Sequence, residues 1–158
     1  LGTIEFDASQ ATLSTNANTL DDYEEGNWTP AITFGGNSAS LTYGATTGGS
    51  YTKVGNQVTL TFVLVMTSNG SSTGTAEING FPFTVKDDSV RVRSSGFVTY
   101  IASMIGVNSA VFIYGQNNTT KATFITAGAV DAYTATASLT EGNFSDTVTL
   151  RGTISYFT

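Results

Sequence analysis

The stretch YTKVGNQVTLTF, residues 51–62, decides the fold class of this chain. Polar and apolar residues alternate after Gly55-Asn56, from Gln57 to Phe62. A period of two is typical of a strand with one buried face. Glycine and asparagine tolerate the positive φ angles of a two-residue hairpin turn. The stretch therefore predicts an antiparallel β-hairpin, in which residues 50–54 and 57–66 form the two strands.

The same kind of pattern recurs along most of the chain. From Trp28 onward, strand signals come every ~8–12 residues, which is the spacing of a sandwich or a jelly roll. We expect strands at residues 28–34, 41–43, 50–54, 57–66, 75–78, 97–104, 110–114, 121–126, 135–139 and 146–157. No segment of useful length has the period of a helix. Residues 28–158 are thus predicted to form an all-β domain, an antiparallel, jelly-roll-like β-sandwich.

The two faces of the longest predicted strand differ in an informative way. One face is entirely apolar and is expected in the core: Val58, Leu60, Phe62, Leu64 and Met66. The opposite face begins with threonines and ends with Val63 and Val65. These two valines indicate that an arm or another subunit covers this face as well. The alternative is that they are ordinary scattered apolar residues of a surface.

Residues 1–27 are predicted to form an extended N-terminal arm that depends on neighbouring chains for its order. The arm ends in an acidic cluster made of Asp21, Asp22, Glu24 and Glu25. Such a cluster could offer oxygens to Ca²⁺, but it lacks the ligand spacing of a calcium loop, so no metal site is predicted. We assign the contact between arm, domain and subunits to these residues: Asp21, Asp22, Tyr23, Trp28, Val63 and Val65.

Composition excludes several functions. The 158 residues carry 6 basic and 12 acidic side chains, a net charge of −6, which argues against binding nucleic acid or an anionic membrane surface. No apolar run approaches the ~20 residues of a membrane span. The chain contains neither cysteine nor histidine, so it has no disulfides and lacks the commonest general base.

The candidate catalytic residues are carboxylates. Glycoside hydrolysis needs two of them about 5–9.5 Å apart, and Asp131, Glu141 and Asp146 are close in sequence. No motif joins them, and a serine nucleophile would have no histidine base. We therefore predict no catalytic residue, no cofactor and no enzymatic activity.

Two polar loops are candidate glycan-binding sites. The loop at residues 115–121 offers amides, hydroxyls and an ammonium group, among them those of Asn117, Asn118 and Lys121. A second loop places Asp131 beside Tyr133, whose ring could stack on a sugar while its hydroxyl forms hydrogen bonds. The alternative for each is an ordinary solvent-facing loop.

Several short segments, in order, resemble the C-terminal β-rich domains of phage tail fibre and tailspike proteins. They are LDDYEEGNWTP at 20–30, TFGGNS at 33–38, the hairpin at 51–62, GSSTGTAEINGFPF at 70–83 and, more loosely, TLRGTISYFT at 149–158. Residues 85–145 carry no such likeness, and we expect them to vary with the receptor.

The resemblance implies a homotrimer at the distal end of a virion appendage, outside the cell and beside other virion tail proteins. It implies adhesion to a host surface polysaccharide or lipopolysaccharide. One alternative is a purely structural module for trimerisation, capping or virion decoration. Another is an enzyme that degrades surface polysaccharide.

Overall fold

A computed structural model describes residues 23–87, 94–127 and 137–158. Within these ranges the chain forms eleven strands and one short 3₁₀ helix, Glu141–Asn143. The strands are β1 (Tyr23–Trp28), β2 (Ala31–Phe34), β3 (Leu41–Tyr43), β4 (Gly48–Val54), β5 (Gln57–Asn69), β6 (Ala76–Asn79), β7 (Ser94–Met104), β8 (Val111–Gly115), β9 (Lys121–Thr126), β10 (Ala137–Ser138) and β11 (Phe144–Phe157). No helix in this part of the chain is long and apolar enough to span a membrane.

The strands form one antiparallel sheet that curls around a single core. Its order is β1-β4-β5-β11-β7-β8-β9-β6-β2, with β3 beside β5 and β10 beside β9. The two halves of the sheet face each other, because the ring of Phe144 on β11 contacts Phe34 on β2 and Phe124 on β9 at centroid distances of 5.3 and 5.9 Å. The predicted all-β, antiparallel fold is confirmed. The two facing layers belong to one continuous curled sheet.

The first two strands close the curled sheet. Strand β1 pairs with β4 at one edge, and β2 pairs with β6 at the other. Since neighbours along the nine-strand path are antiparallel, β1 and β2 run in the same direction, joined by Thr29 and Pro30. Proline has no N–H to leave unpaired where the chain passes from one edge to the other. The single strand predicted at residues 28–34 is therefore two strands, and residues 23–27, assigned above to the arm, are part of the sheet.

The core contains the residues that the alternation predicted. All five inward residues of β5 are buried. On β11, Val148, Leu150, Ile154 and Tyr156 are buried in the same way. Gly152 falls between them in the inward register, where the ring of Phe62 occupies the space that a Cβ would need. Inward alternation thus holds along the two longest strands.

The predicted hairpin is present as β4 and β5, and β7 and β8 form a second antiparallel pair of smaller extent. Strands β4 and β5 meet at the Val54–Gln57 pair, and Gly55 has a φ of 57°, as the turn requires. Strands β7 and β8 pair only at Gly96–Ile113 and Phe97–Phe112 before they diverge.

The curled sheet has two ends. One end carries Tyr23 and Thr158, where the described residues begin and finish, together with the 55–56 turn and residues 80–87 and 115–120. We call it the terminal end. There the Thr158 N–H donates to the Asn56 carbonyl at 2.9 Å. The opposite end, called the loop end, carries residues 35–47, 70–75, 105–110 and 139–146. The strand pairings place these loops at the end of the sheet opposite the terminal end.

Candidate functional site

The first candidate site lies at the terminal end, in the loop between β8 and β9. The side-chain amides of Asn117 and Asn118 donate to the two carboxylate oxygens of Asp87, at 3.1 and 2.9 Å. The backbone of this loop is held in place, because the Asn118 N–H donates to the Val85 carbonyl and the Val85 N–H to the Thr119 carbonyl. Exposed carboxylate and amide oxygens side by side can accept hydrogen bonds from sugar hydroxyls.

Asp87 is the member of this cluster that the sequence analysis missed. It lies 30 residues before Asn117, and the two meet only because residues 84–87 run along the loop that follows β8. A signal was present, since Lys86 and Asp87 form a charged run directly after an apolar segment. Its partner could not be read from that run.

Lys121, predicted with these asparagines, belongs to a different group. Its Nζ lies 2.9 Å from both carboxylate oxygens of Glu77, a buried residue on β6. Gln116 Nε2 donates to the same carboxylate at 2.6 Å, and the Thr33 hydroxyl donates at 3.3 Å. Burial alone would raise the pKa of Glu77, but the hydrogen bonds from Lys121 and Gln116 outweigh it and hold the pKa below its ordinary value. Lys121 is thus committed to an ion pair that joins β6 to β9.

The second candidate site is the loop end, where neighbouring loops are bonded to one another. The Ala39 N–H donates to the Ser72 hydroxyl at 2.9 Å, and the Gly74 N–H donates to a Glu141 carboxylate oxygen at 2.6 Å. Asn143 exchanges hydrogen bonds with Ile105, through its backbone carbonyl at 2.9 Å and its side-chain amide at 3.1 Å. Together, these hydrogen bonds link all four groups of loops at this end into one chain of contacts. The loop end is therefore a connected surface that carries exposed hydroxyls and amides.

Asp131 and Tyr133 lie outside the described residues. The strands that flank them are β9, which ends at Thr126, and β10, which begins at Ala137, and both of these positions are at the loop end.

The predicted interface residues also separate. Asp21 and Asp22 fall outside the described residues. Tyr23 is partly exposed on β1, and its hydroxyl donates to Glu25 at 2.7 Å. Trp28 is only 6% exposed. Its ring packs edge-on against Phe62 and Phe81 at 6.2 and 5.6 Å, and its Nε1 donates to the Thr61 carbonyl at 3.0 Å.

Trp28 is therefore buried in the core of its own chain, and its contact with another subunit stays a prediction. Strand β1 ends at Trp28, where the chain crosses from one sheet edge to the other, and the indole closes the core at that point.

Val63 and Val65 are half-buried on the outward side of β5. Gly44 of the same chain covers Val65, since its N–H donates to the Val65 carbonyl at 2.9 Å and a Cβ at Gly44 would lie 3.1 Å from a Val65 methyl group. Val63 pairs across the sheet with Arg151 on β11. Part of the cover predicted for this face thus comes from the segment between β3 and β4.

The carboxylates considered for catalysis have structural partners. Glu141 accepts the Gly74 N–H, as above, and Asp146 accepts the Asn69 N–H at 2.9 Å. Among the residues that the structure describes, no three acidic side chains come close enough together to hold a metal ion.

No protein-family model and no curated protein sequence matches this chain. Among solved structures, the Dettilon tailspike protein (gp208) is similar, with a TM-score of 0.68 and 15% sequence identity. The match covers 85% of this chain and 24% of the tailspike chain, so this chain corresponds to about a quarter of that protein's length. The fold described here is therefore one that also occurs as part of a phage tailspike protein.

Proposed function

We propose that this chain is a receptor-binding module of a phage tail fibre or tailspike, that it assembles as a homotrimer on the virion, and that it binds host surface glycan without cleaving it. The observation that carries the proposal is a tailspike fold whose loop end is a polar surface of mutually bonded loops.

The loop end favours binding because its loops are ordered before a ligand arrives. A binding surface already held in one conformation loses less conformational entropy when it binds. The hydroxyls and amides of this surface match the alternating donors and acceptors of a sugar. Residues 1–22 precede β1 at the terminal end, so an attachment to the virion through them would leave the loop end pointing away. Asp131 and Tyr133, predicted from the sequence to bind glycan, are kept as candidate binding residues on that ground.

The Asp87–Asn117–Asn118 cluster is a second candidate glycan site. It is favoured because hydrogen bonds hold its carboxylate and its two amides side by side. In a trimer either site would occur three times, so weak single-site binding would be multiplied by avidity.

The test is binding of the labelled, oligomeric full chain to bacterial cells and to a panel of purified surface polysaccharides. Tyr133→Ala and Asp131→Asn are expected to reduce binding by about tenfold or more, since each removes a contact worth about 1.4 kcal/mol or more. The matched variant at the other end, Asn117→Ala with Asn118→Gly, is expected to bind normally. Loss in the asparagine variant alone would move the site to the terminal end.

The competing functions have their own readouts. Absence of binding by the intact oligomer across the panel would favour a structural capping module and would defeat the receptor proposal. Release of reducing ends from a polysaccharide, abolished by Asp131→Asn, Glu141→Gln or Asp146→Asn, would show that the module is an enzyme.

A further inference from the structure

A band of aromatic side chains lies on the outward surface of the sheet. We call it the aromatic face, and it consists of Phe97 and Tyr100 on β7 with Phe112 and Tyr114 on β8. These side chains are 51%, 51%, 40% and 55% exposed, respectively. They point outward because the residues that alternate with them, such as Val111 and Ile113, are buried.

The face is continuous across four strands, β11, β7, β8 and β9. Phe97 and Phe112 are direct cross-strand partners. Thr153 of β11 stands beside Phe97, and Ile125 of β9 stands beside Phe112. Directly opposite side chains on one face of a sheet have Cβ atoms about 4.5–5.5 Å apart, so the two phenylalanines form one apolar ridge. Arg151 extends this surface by lying over the ring of Tyr100, 5.3 Å from its centroid.

The size of the face suits a protein partner. Four rings that each cover roughly 200 Å² and are about half exposed leave on the order of 400 Å² of mainly apolar surface. That is the size at which an exposed patch is often functional.

The polar groups around the ridge are largely satisfied within the chain. The Thr153 hydroxyl donates to the Leu60 carbonyl at 2.8 Å, and the hydroxyls of Thr59 and Ser155 bond to each other at 3.0 Å. The Thr99 hydroxyl donates to the Arg151 carbonyl at 3.1 Å. These threonine and serine hydroxyls therefore need no partner outside the chain, and the Phe97–Phe112 ridge beside them fits an apolar protein face.

Charge favours a second copy of the same chain. With a net charge of −6, two copies repel each other wherever their acidic side chains meet. Strands β7, β8 and β9 contain no aspartate or glutamate, and in β11 the one acid, Asp146, lies at the loop end. Two copies can therefore approach through this part of the sheet without bringing carboxylates together.

We propose that the aromatic face is the surface through which copies of this chain associate, with the Phe97–Phe112 ridge at its centre. The inference rests on the homomeric assembly in the proposed function and names the surface that forms it. The same ridge on each copy supplies the aromatic anchors that dominate interface energies.

The mass of the full chain, measured by light scattering over a range of concentrations, tests the proposal. The wild type is expected to be oligomeric, and Phe97→Thr with Phe112→Thr is expected to weaken association by about 100-fold or more. Val54→Thr is the matched control, since Val54 is 40% exposed on β4 of the same sheet, and it is expected to leave the mass unchanged. Circular dichroism and the melting temperature establish that each variant is folded.

Cysteine labelling covers the case in which the double variant does not fold. The chain has no native cysteine, so a single Ser95→Cys, beside the ridge on β7, or Thr52→Cys, exposed on β4, reports on one position. The thiol at position 95 is expected to react with maleimide at least tenfold more slowly than the thiol at position 52. Dilution to the monomer should equalise the two rates.

Three results would overturn the proposal. They are a monomeric wild type at about 100 µM, an oligomer that survives the double variant, and equal labelling at positions 95 and 52 in the oligomer. Dissociation by Ile4→Ser with Phe6→Ser alone would identify the N-terminal segment as the contact instead. Receptor binding is measured separately, so an oligomer through this face that binds no glycan contradicts only the proposed function.

Discussion

The hairpins β4–β5 and β7–β8 have the same inward pattern but opposite outward surfaces. Outside β4 and β5, hydroxyls pair with one another, as Ser50 does with Thr61 at 2.8 Å. Outside β7 and β8, two phenylalanines stand directly opposite each other. The first surface satisfies its own polar groups and can remain in water, whereas the second exposes apolar rings. The inward residues build the fold, and the outward residues decide which part of the sheet is available to a partner.

The largest expected effect on stability tests whether the inward residues of the two hairpins contribute equally to the core. Leu60→Ala on β5 and Ile113→Ala on β8 should each lower the free energy of unfolding by about 2–5 kcal/mol, since both side chains are buried and leave cavities. Urea denaturation measures both. Thr52→Ala, exposed on β4, should stay within about 0.5 kcal/mol. If Ile113→Ala lowered the free energy of unfolding by no more than Thr52→Ala does, β8 would not be part of the core.

The next effect concerns the edge of the β4–β5 hairpin, where Trp28 closes the sheet. A Cβ at Gly49 would overlap Trp28 Nε1 and the Thr61 carbonyl oxygen, the two atoms that are hydrogen-bonded to each other. Gly49→Ala should therefore destabilise the protein by about 1–3 kcal/mol and shift the tryptophan fluorescence.

The neighbouring residue provides the control for this prediction. Gly48 has no atom within 4 Å of its would-be Cβ, so Gly48→Ala should be close to neutral. Equal effects of the two substitutions would argue that backbone freedom, and not the position of Trp28, is what matters.

A third outward surface, at β6 and β9, should respond to pH. The pKa of Glu77 is held below its ordinary value, so its contribution is complete above the unfolded-state pKa, near 4.5, and is lost as the pH falls through the folded-state value. Glu77→Gln should lower the free energy of unfolding by about 1–2 kcal/mol at pH 7 and flatten its decrease in acid. Denaturation midpoints between pH 3 and 7 measure this.

Glu25→Gln is the control for the pH prediction, because it removes the same charge from an exposed position on β1. If the stability of Glu25→Gln changed with pH in the same way as that of Glu77→Gln, the change in net charge would explain the two results. The ion pair between Glu77 and Lys121 would then not be their cause.

The smallest effect concerns the hydroxyl pair outside β4 and β5. A double-mutant cycle with Ser50→Ala and Thr61→Val should give a coupling of about 0.5 kcal/mol, because an exposed neutral hydrogen bond largely replaces bonds to water. Thermal and urea unfolding of the four proteins supply the cycle. A coupling above about 2 kcal/mol would give this surface a larger stabilising role than its exposure implies.

Much of the fold was predictable because strand patterning is local. The Gly55-Asn56 turn and the burial of alternate residues on β5 follow from the backbone preferences of the turn and the two-residue period of a strand. The split between β1 and β2 was not predictable in this way. Residues 23–34 read as continuous extended chain, and only the positions of β4 and β6 show that its two halves pair at different edges.

The candidate sites were less predictable than the fold. Asn117 and Asn118 are plausible as polar loop residues, but Asp87 joins them across about 30 residues of chain. The sequence around Lys121 is that of a polar loop with an exposed cation, yet the ammonium group of Lys121 forms an ion pair with Glu77 on another strand. Each of these contacts depends on which strands are neighbours, which local patterning does not specify.

By itself, the sequence determined that the chain forms strands, where the β4–β5 hairpin turns and which side of β5 faces the core, since these follow from local propensity and a period of two. Only the tertiary structure decided that Trp28 closes the core, that Asp87 meets Asn117, and that Phe97 stands beside Phe112 on the outside. Those outcomes depend on the order and register of strands far apart in sequence, which are selected by how the whole curled sheet packs around its core.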